Sequence, residues 1–587
     1  MNRLLTVGVL LSVCCVWAEP GVTHDTPVAV STNDMPIAVS TNNVPEAEPI
    51  PFPIEVDVYE VKPVSDELTA LFNQLHSKES GATNLARDVL IQSLSEGQER
   101  SGTAALRKYL VKRAEQLNWD DPEALDEMIS ITGCAGCLGA FQDCEVSPEV
   151  WMWLFSSDKR IRLVAETITE DDNACETACI LRQLYEHDPQ ERDRFLNLIL
   201  AMAVVWDTPR KAMDDQIENG WLPPDDDICL YYDYFKKLYS SKKAKVPYDE
   251  LSVDSLVFVV DISAPLSELE WTLENVDGTR SMWGRHYKEI IYDHTRIVRN
   301  QYDWPHRDYT LQEIEECFGI CVDQAYYCVI TARAYGIPSL FFHGRGKYGG
   351  HAWFGFMKKR TEWDLDVARY SNQGYGIGFA THPQTDLEMS DHELEYFCSR
   401  SLQPVAARKA SALEYLATLL YEEDMPEEAQ QAAQRSRQTD SLCEAAWKTE
   451  CNVLADTERF DEAIEFMDKK ADRFKFFPDV VADSRQRQAD LFTQSGNPEQ
   501  AEKMLRREVA KVASKRGDLQ QKLVIAQAEQ LLEQGKGQEG LAVIEKILYE
   551  QQNEGAKVYA LIVEYKRFAK RAGLDKNADS FLKNYYR

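Results

Sequence analysis

Cys321, His351 and a carboxylate, either Asp366 or Asp364, fall in that order within residues 319–370. Together they have the side-chain types for thiol-based acyl transfer. A thiolate attacks a carbonyl carbon, an imidazole moves the proton, and a carboxylate orients the imidazole. The order of elements suits that chemistry. Cys321 follows Gly319 and opens an apolar pattern of Val322, Ala325, Tyr326, Val329 and Ile330, which Gly336 and Pro338 end. The spacing predicts an amphipathic helix with the thiol in its first turn. There the unpaired N–H groups and the helix dipole favour a thiolate and can hold the oxyanion of a tetrahedral intermediate. Strand-like runs follow at 339–343, 352–357 and 363–367. His351 starts the second run after Gly349-Gly350, and Asp366 lies on the third. Residues two apart on a strand face the same side, so parity does not separate Asp366 from Asp364. A Cys on an apolar helix is most often an inert core residue, and Cys328, two turns further on, reads that way.

These motifs resemble the transglutaminase-like superfamily over roughly residues 287–383. Its pattern is G-x-C, a helix ending R-A-x-G-I-P, then H-A-W, then W followed closely by D. The chain reads Gly319-Ile320-Cys321, Arg333-Ala334-Tyr335-Gly336-Ile337-Pro338, His351-Ala352-Trp353, and Trp363 to Asp366. It departs in two places: Val367-Ala368-Arg369 stands after Asp366 where the family has D-P-T, and the Trp-to-Asp gap is one residue shorter. The resemblance implies a papain-like α+β fold and a Cys321–His351–Asp366 triad. In the family an upstream Trp completes the oxyanion hole, which makes Trp283 a candidate for that role, with packing as the competing one.

The rest of the chain must hold this core. At 587 residues several domains are expected. The net charge is −32, from 65 basic and 97 acidic residues, which argues against nucleic acid or anionic lipid as the main partner. Residues 1–18 read as a secretory signal: Arg3, an apolar run over 4–16, and Val16-Trp17-Ala18 before a mature start at Glu19. Acylation at Cys14 or Cys15 is the alternative, with Val13 a poor preceding residue. No later run spans a bilayer, and 196–205 reads as a buried core helix.

Residues 19–55 form a linker in which TPVAVSTND at 26–34 returns nearly unchanged as MPIAVSTNN at 35–43. Residues 56–240 read as an all-helical domain and 241–400 as the core, with a strand-like run at 256–260 and a helix from Glu268. From 401 to 587 helix pairs follow one another. Glu427-Glu428-Ala429 returns as Asp461-Glu462-Ala463, 34 residues later, so this region resembles tetratricopeptide repeats and implies a solenoid with a peptide-binding groove.

Twelve of the fourteen cysteines follow the signal. Cys134, Cys137 and Cys144, and Cys175 with Cys179, read as local disulfide staples. Free thiols, or a zinc site of Cys134, Cys137, Cys175 and Cys179, are the alternatives.

The expected protein is thus an exported multidomain α+β molecule: a helical N-terminal region, a transglutaminase-like core and a helical-repeat solenoid. Cys321 would form a thioacyl intermediate on a protein or peptide substrate, resolved by an amine or by water. No cofactor or metal is implied for that chemistry. The competing expectation is a non-catalytic binding or assembly protein that uses the repeats and keeps the core as scaffold. A disulfide oxidoreductase using Cys134 and Cys137 is a third.

Overall fold

The computed structural model describes residues 63–586, apart from 211–226 (Met213 excepted), 247–250, 347–348, 360–361, 371–375, 402–403, 514–515 and 553–557. The expected signal and linker lie outside the described residues. The chain is mixed α+β: many helices and a single small antiparallel sheet among the described residues.

Helices from Asp66–Ser77 to Ile228–Ser240 make up the N-terminal region. Local chemistry starts several of them. Ser65 accepts from Leu68 N at 3.1 Å, and Asp121 caps the helix Pro122–Ala140, whose proline stands in the first turn. The helix Leu196–Val205 is buried on nearly every side, as its unbroken apolar run requires, and Asn197 is satisfied by Leu251 O at 2.9 Å. No helix among the described residues is long and apolar enough to cross a membrane.

The run at 256–260 is not a strand. It belongs to the helix Val253–Val260, which packs against Leu196–Val205 and has every face of its last turns covered. A short run that is apolar on every side has no period, so it reads equally as buried strand or buried helix.

Five strands order as β3-β2-β1-β4-β5. β1 is Ser339–Gly346, β2 Gly349–Lys359, β3 Glu362–Val367, β4 Phe379–Thr381 and β5 Glu388–Ser390. The hairpin of β1 and β2 sets Gly344 opposite His351, and β3 closes one edge. The helix Cys321–Ala334 packs on β1 and β2. All its residues are buried, so it is central rather than amphipathic: the sheet takes one side and helices take the others.

From Pro404 to Tyr585 ten helices among the described residues pack each on the next. The two matching tripeptides both lie in the first turn of the second helix of a pair, Pro426–Thr439 and Phe460–Arg473, and bury Ala429 and Ala463 completely. One hydrophobic core runs from Leu75 through the sheet into Leu413, Leu420 and Ala432, so the first helix pair after 401 shares the core of what precedes it.

Cys144 and Cys175 form a disulfide. The expected local staples are corrected: the bond crosses between the two cysteine groups, and Cys134, Cys137 and Cys179 are free thiols. Cys134 and Cys137 lie inside the helix Pro122–Ala140, where burial pushes both thiols up. No His, Cys, Asp or Glu cluster able to hold a metal occurs among the described residues.

Candidate active site

Cys321 is the first residue of its helix and is buried. The turn before it is pinned from outside: Gly319 N donates to Ile291 O at 3.0 Å, and Asp293 N donates to Gly319 O at 2.9 Å. Asp323, in the first turn, accepts from Ile320 N at 2.8 Å. A Cβ on Gly319 would come within 2.7 Å of Asp323 Cβ, so glycine is what lets this cap close. Asp323 is itself held by Arg296 Nη1 at 2.6 Å and by Tyr309 Oη at 2.9 Å. Burial raises its carboxyl pKa, against the pull of Arg296. The start of the Cys321 helix is thus fixed by a buried ion pair.

His351 is buried on β2. Its Nε2 lies 2.7 Å from Ala368 O. A carbonyl only accepts, so Nε2 carries the proton and Nδ1 is the basic nitrogen of the neutral ring. Trp353, two residues on, stacks beside the imidazole at 6.0 Å between ring centroids. Its indole donates to Leu365 O at 3.0 Å. Gly378 lies so close that a Cβ there would sit 2.3 Å from the indole, which locks the Trp in place.

One tyrosine ties the thiol's element to the imidazole's element, and a second lies beside the imidazole. Tyr287 Oη donates to Ala352 O at 2.8 Å and lies 3.4 Å from Cys321 O. One hydroxyl therefore joins the first residue of the helix to the neighbour of His351. The Tyr370 ring lies 5.1 Å from the imidazole, and its phenol is pushed up first by burial and then by Cys321. Cys321 also helps to raise Tyr287. Neither tyrosine carries a sequence signal for this role.

Asp366 is placed differently from the expected orienter. Its side chain is 68% exposed and accepts from Arg369 Nη1 at 2.8 Å. Arg369 also pairs with buried Asp391 at 2.6 Å and lies over Trp353 at 5.4 Å. Asp364 faces Lys358 at 4.0 Å. β3 is an edge strand, so its outward carboxylates reach solvent, and the acceptor at Nε2 is a backbone carbonyl instead. Trp283 is buried, and its indole donates to Cys328 O at 3.2 Å, two turns down the helix from Cys321. Packing accounts for it. Cys328 is fully buried, and burial holds its thiol well up.

Compared with models of known protein families, with curated proteins and with solved structures, the chain matches none. The site is therefore read from its own geometry, in which backbone strain is a further signal. Among the described residues nine non-glycine residues have positive φ, and three of them border this site: Phe318, Ala368 and Tyr370. Phe318 has φ 71° and ψ 169°, a region nearly exclusive to glycine. Ala368, at φ 67°, is the residue whose carbonyl meets His351. Strain of this kind persists where surrounding structure over-determines the backbone, and it concentrates at functional sites.

Proposed function

We propose that the protein is a thiol acyl-transfer enzyme with a transglutaminase-like core, Cys321 as nucleophile and His351 as acid–base. The observation that carries this reading is the Tyr287 hydroxyl, which joins Cys321 O to Ala352 O and so sets the helix start beside the imidazole strand. His351 Nδ1 takes the thiol proton, and the sulfur attacks a carboxamide or peptide carbonyl. First-turn N–H groups hold the oxyanion. The imidazolium then protonates the departing amine, leaving a thioacyl enzyme that an amine or water resolves. In this reading the Ala368 carbonyl orients the imidazole, and Asp366 acts at one remove, through Arg369 and Trp353. Export supplies the setting for the Cys144–Cys175 disulfide. The helices from Pro404 onward would form a tetratricopeptide-like solenoid holding a polypeptide.

The burial of Cys321 favours a second reading, in which the core is scaffold and the array alone binds a partner. Hydroxylamine trapping separates the two. A glutamine-containing peptide incubated with the protein and hydroxylamine should yield a peptide hydroxamate that Cys321→Ala abolishes. A wild-type protein that traps no acyl group and does not label at Cys321 overturns the enzyme reading.

A further inference from the structure

A cavity of about 370 Å³ lies where five helices meet, away from Cys321 and lined by none of the residues of that site. Its walls come from the helices Pro122–Ala140, Asp158–Thr167, Val253–Val260, Asp391–Ser401 and Pro404–Glu422. The N-terminal region, the core and the first helix of the array therefore all contribute. Its size is that of a small-molecule site, and such sites favour the seams between domains.

The charges in it make no close pair with one another. Glu166 and Asp254 line the cavity from two helices, and Arg408 lines it from a third. Arg408 acts electrostatically on both carboxylates and opposes the rise that burial gives their pKa values. Neither carboxylate accepts a side-chain hydrogen bond from Arg408. The other two guanidinium groups are engaged: Arg400 with Asp440 at 2.9 Å and Arg162 with Ser130 Oγ at 2.7 Å. Desolvation in the crevice raises both carboxyls, Glu166 to about 7, and Asp254 adds to the rise at Glu166. Apolar surface from Phe397, Leu163 and Tyr415 completes the lining. Glu166 and Arg408 are half-buried and Asp254 is exposed where it lines the crevice, so two carboxylates and a guanidinium without a close pair among them can be met by a molecule carrying the opposite charge toward each.

We propose that this cavity binds a small zwitterion, an α-amino acid or dipeptide, with its ammonium group between Glu166 and Asp254 and its carboxylate on Arg408. Phe397 and Tyr415 meet its apolar body. Such a ligand would clamp the N-terminal region to the array at the place where both meet the core.

Isothermal titration of the full chain tests this with L-leucine, L-leucyl-L-phenylalanine, and the N-acetyl and C-amide forms of that dipeptide. At least one free zwitterion should bind, and removing either terminal charge should weaken binding tenfold or more. Arg408→Met should abolish discrimination against the amide, and Asp254→Asn should weaken discrimination against the acetyl form. Melting curves establish that each variant is folded. The capped-ligand comparison on the unaltered protein stands even if a variant is not. Absence of heat with every zwitterion would mean a cavity filled by water alone and overturns the proposal. Equal binding of the capped forms, or a tenfold preference retained in folded Arg408→Met, overturns it as well.

Discussion

His351 Nε2 lies 2.7 Å from the carbonyl oxygen of Ala368, a residue held at φ 67°. A left-handed turn just past β3 thus supplies the acceptor that a carboxylate was expected to supply. The turn fixes the ring's tautomer as well as its orientation, because a carbonyl cannot donate. Substitutions at Ala368 should therefore matter more than substitutions at Asp366. Ala368→Gly keeps the turn and should leave turnover within about twofold, while gaining up to about 1 kcal/mol from relieved strain. Ala368→Pro cannot adopt positive φ and should lower kcat a hundredfold or more. Asp366→Asn removes a pair whose carboxylate is exposed and leaves Arg369 held by Asp391, so it should cost under about 1 kcal/mol of stability and little turnover. Kinetics of the three variants check the order, and a hundredfold loss in Asp366→Asn would restore the carboxylate as orienter.

The thiol at the start of the Cys321 helix should label with iodoacetamide faster at about pH 6 than ordinary thiols, which are mostly protonated there. Helix N–H groups and His351 both favour the thiolate, so His351→Ala should slow labelling without abolishing it. Cys328 should stay unlabelled in the native protein because it is fully buried. Mass mapping of labelled cysteines over pH 5–9 reads all of this directly.

Phe318 is 42% exposed and sits where glycine is nearly obligatory. Phe318→Gly should raise stability by about 1 kcal/mol, the relief of strain exceeding the added entropy of the unfolded chain. Urea denaturation measures it. A loss of activity at unchanged or higher stability would show that the strain serves the site.

The carboxyl of Glu166 titrates at about 7 in the fold against an ordinary 4.5, chiefly through desolvation. Asp254 adds to the rise, while Arg408 and Arg162 oppose it. The native state then holds this proton over a range where the unfolded chain has released it. Stability from this group is complete below the ordinary value and is lost as pH rises through about 7. In the unliganded protein the loss should be about 1–3 kcal/mol. Glu166→Gln should reduce this fall and stabilise the protein at pH 8, with Asp254 leaving a residual slope. Denaturation midpoints between pH 5 and 8 check it.

Reduction of Cys144–Cys175 opens a crosslink spanning 31 residues and should destabilise the N-terminal helices by about 3–4 kcal/mol on the chain-entropy account. Cys134 and Cys137 should be unreactive before and after, because burial rather than bonding protects them. Thermal melts with and without reductant, followed by thiol counting, provide the measurement.

What the sequence determined by itself is mostly local. The helix from Cys321 and the three strands after it were legible because Gly and Pro punctuation and side-chain period mark element type and start. The helix pairs beyond Pro404 were legible through Ala429 and Ala463, which recur where close packing needs a small side chain. Tertiary structure decided the rest. The run at 256–260 folds as helix, and neighbours cover it on all sides, a condition that leaves no period to read. Cys144 met Cys175 through the packing of the helices that precede them, not through spacing. The first helix pair after 401 joined the main core, so removing everything beyond 405 would strip Leu413, Leu416 and Leu420 from it. Between the pairs Phe354–Val367 and Phe356–Asp364, β3 holds one residue more than β2, which breaks the simple alternation that parity assumes. The acceptor at His351 Nε2 is a backbone carbonyl, a group every residue carries. Only the path of the chain through Ala368 could select it.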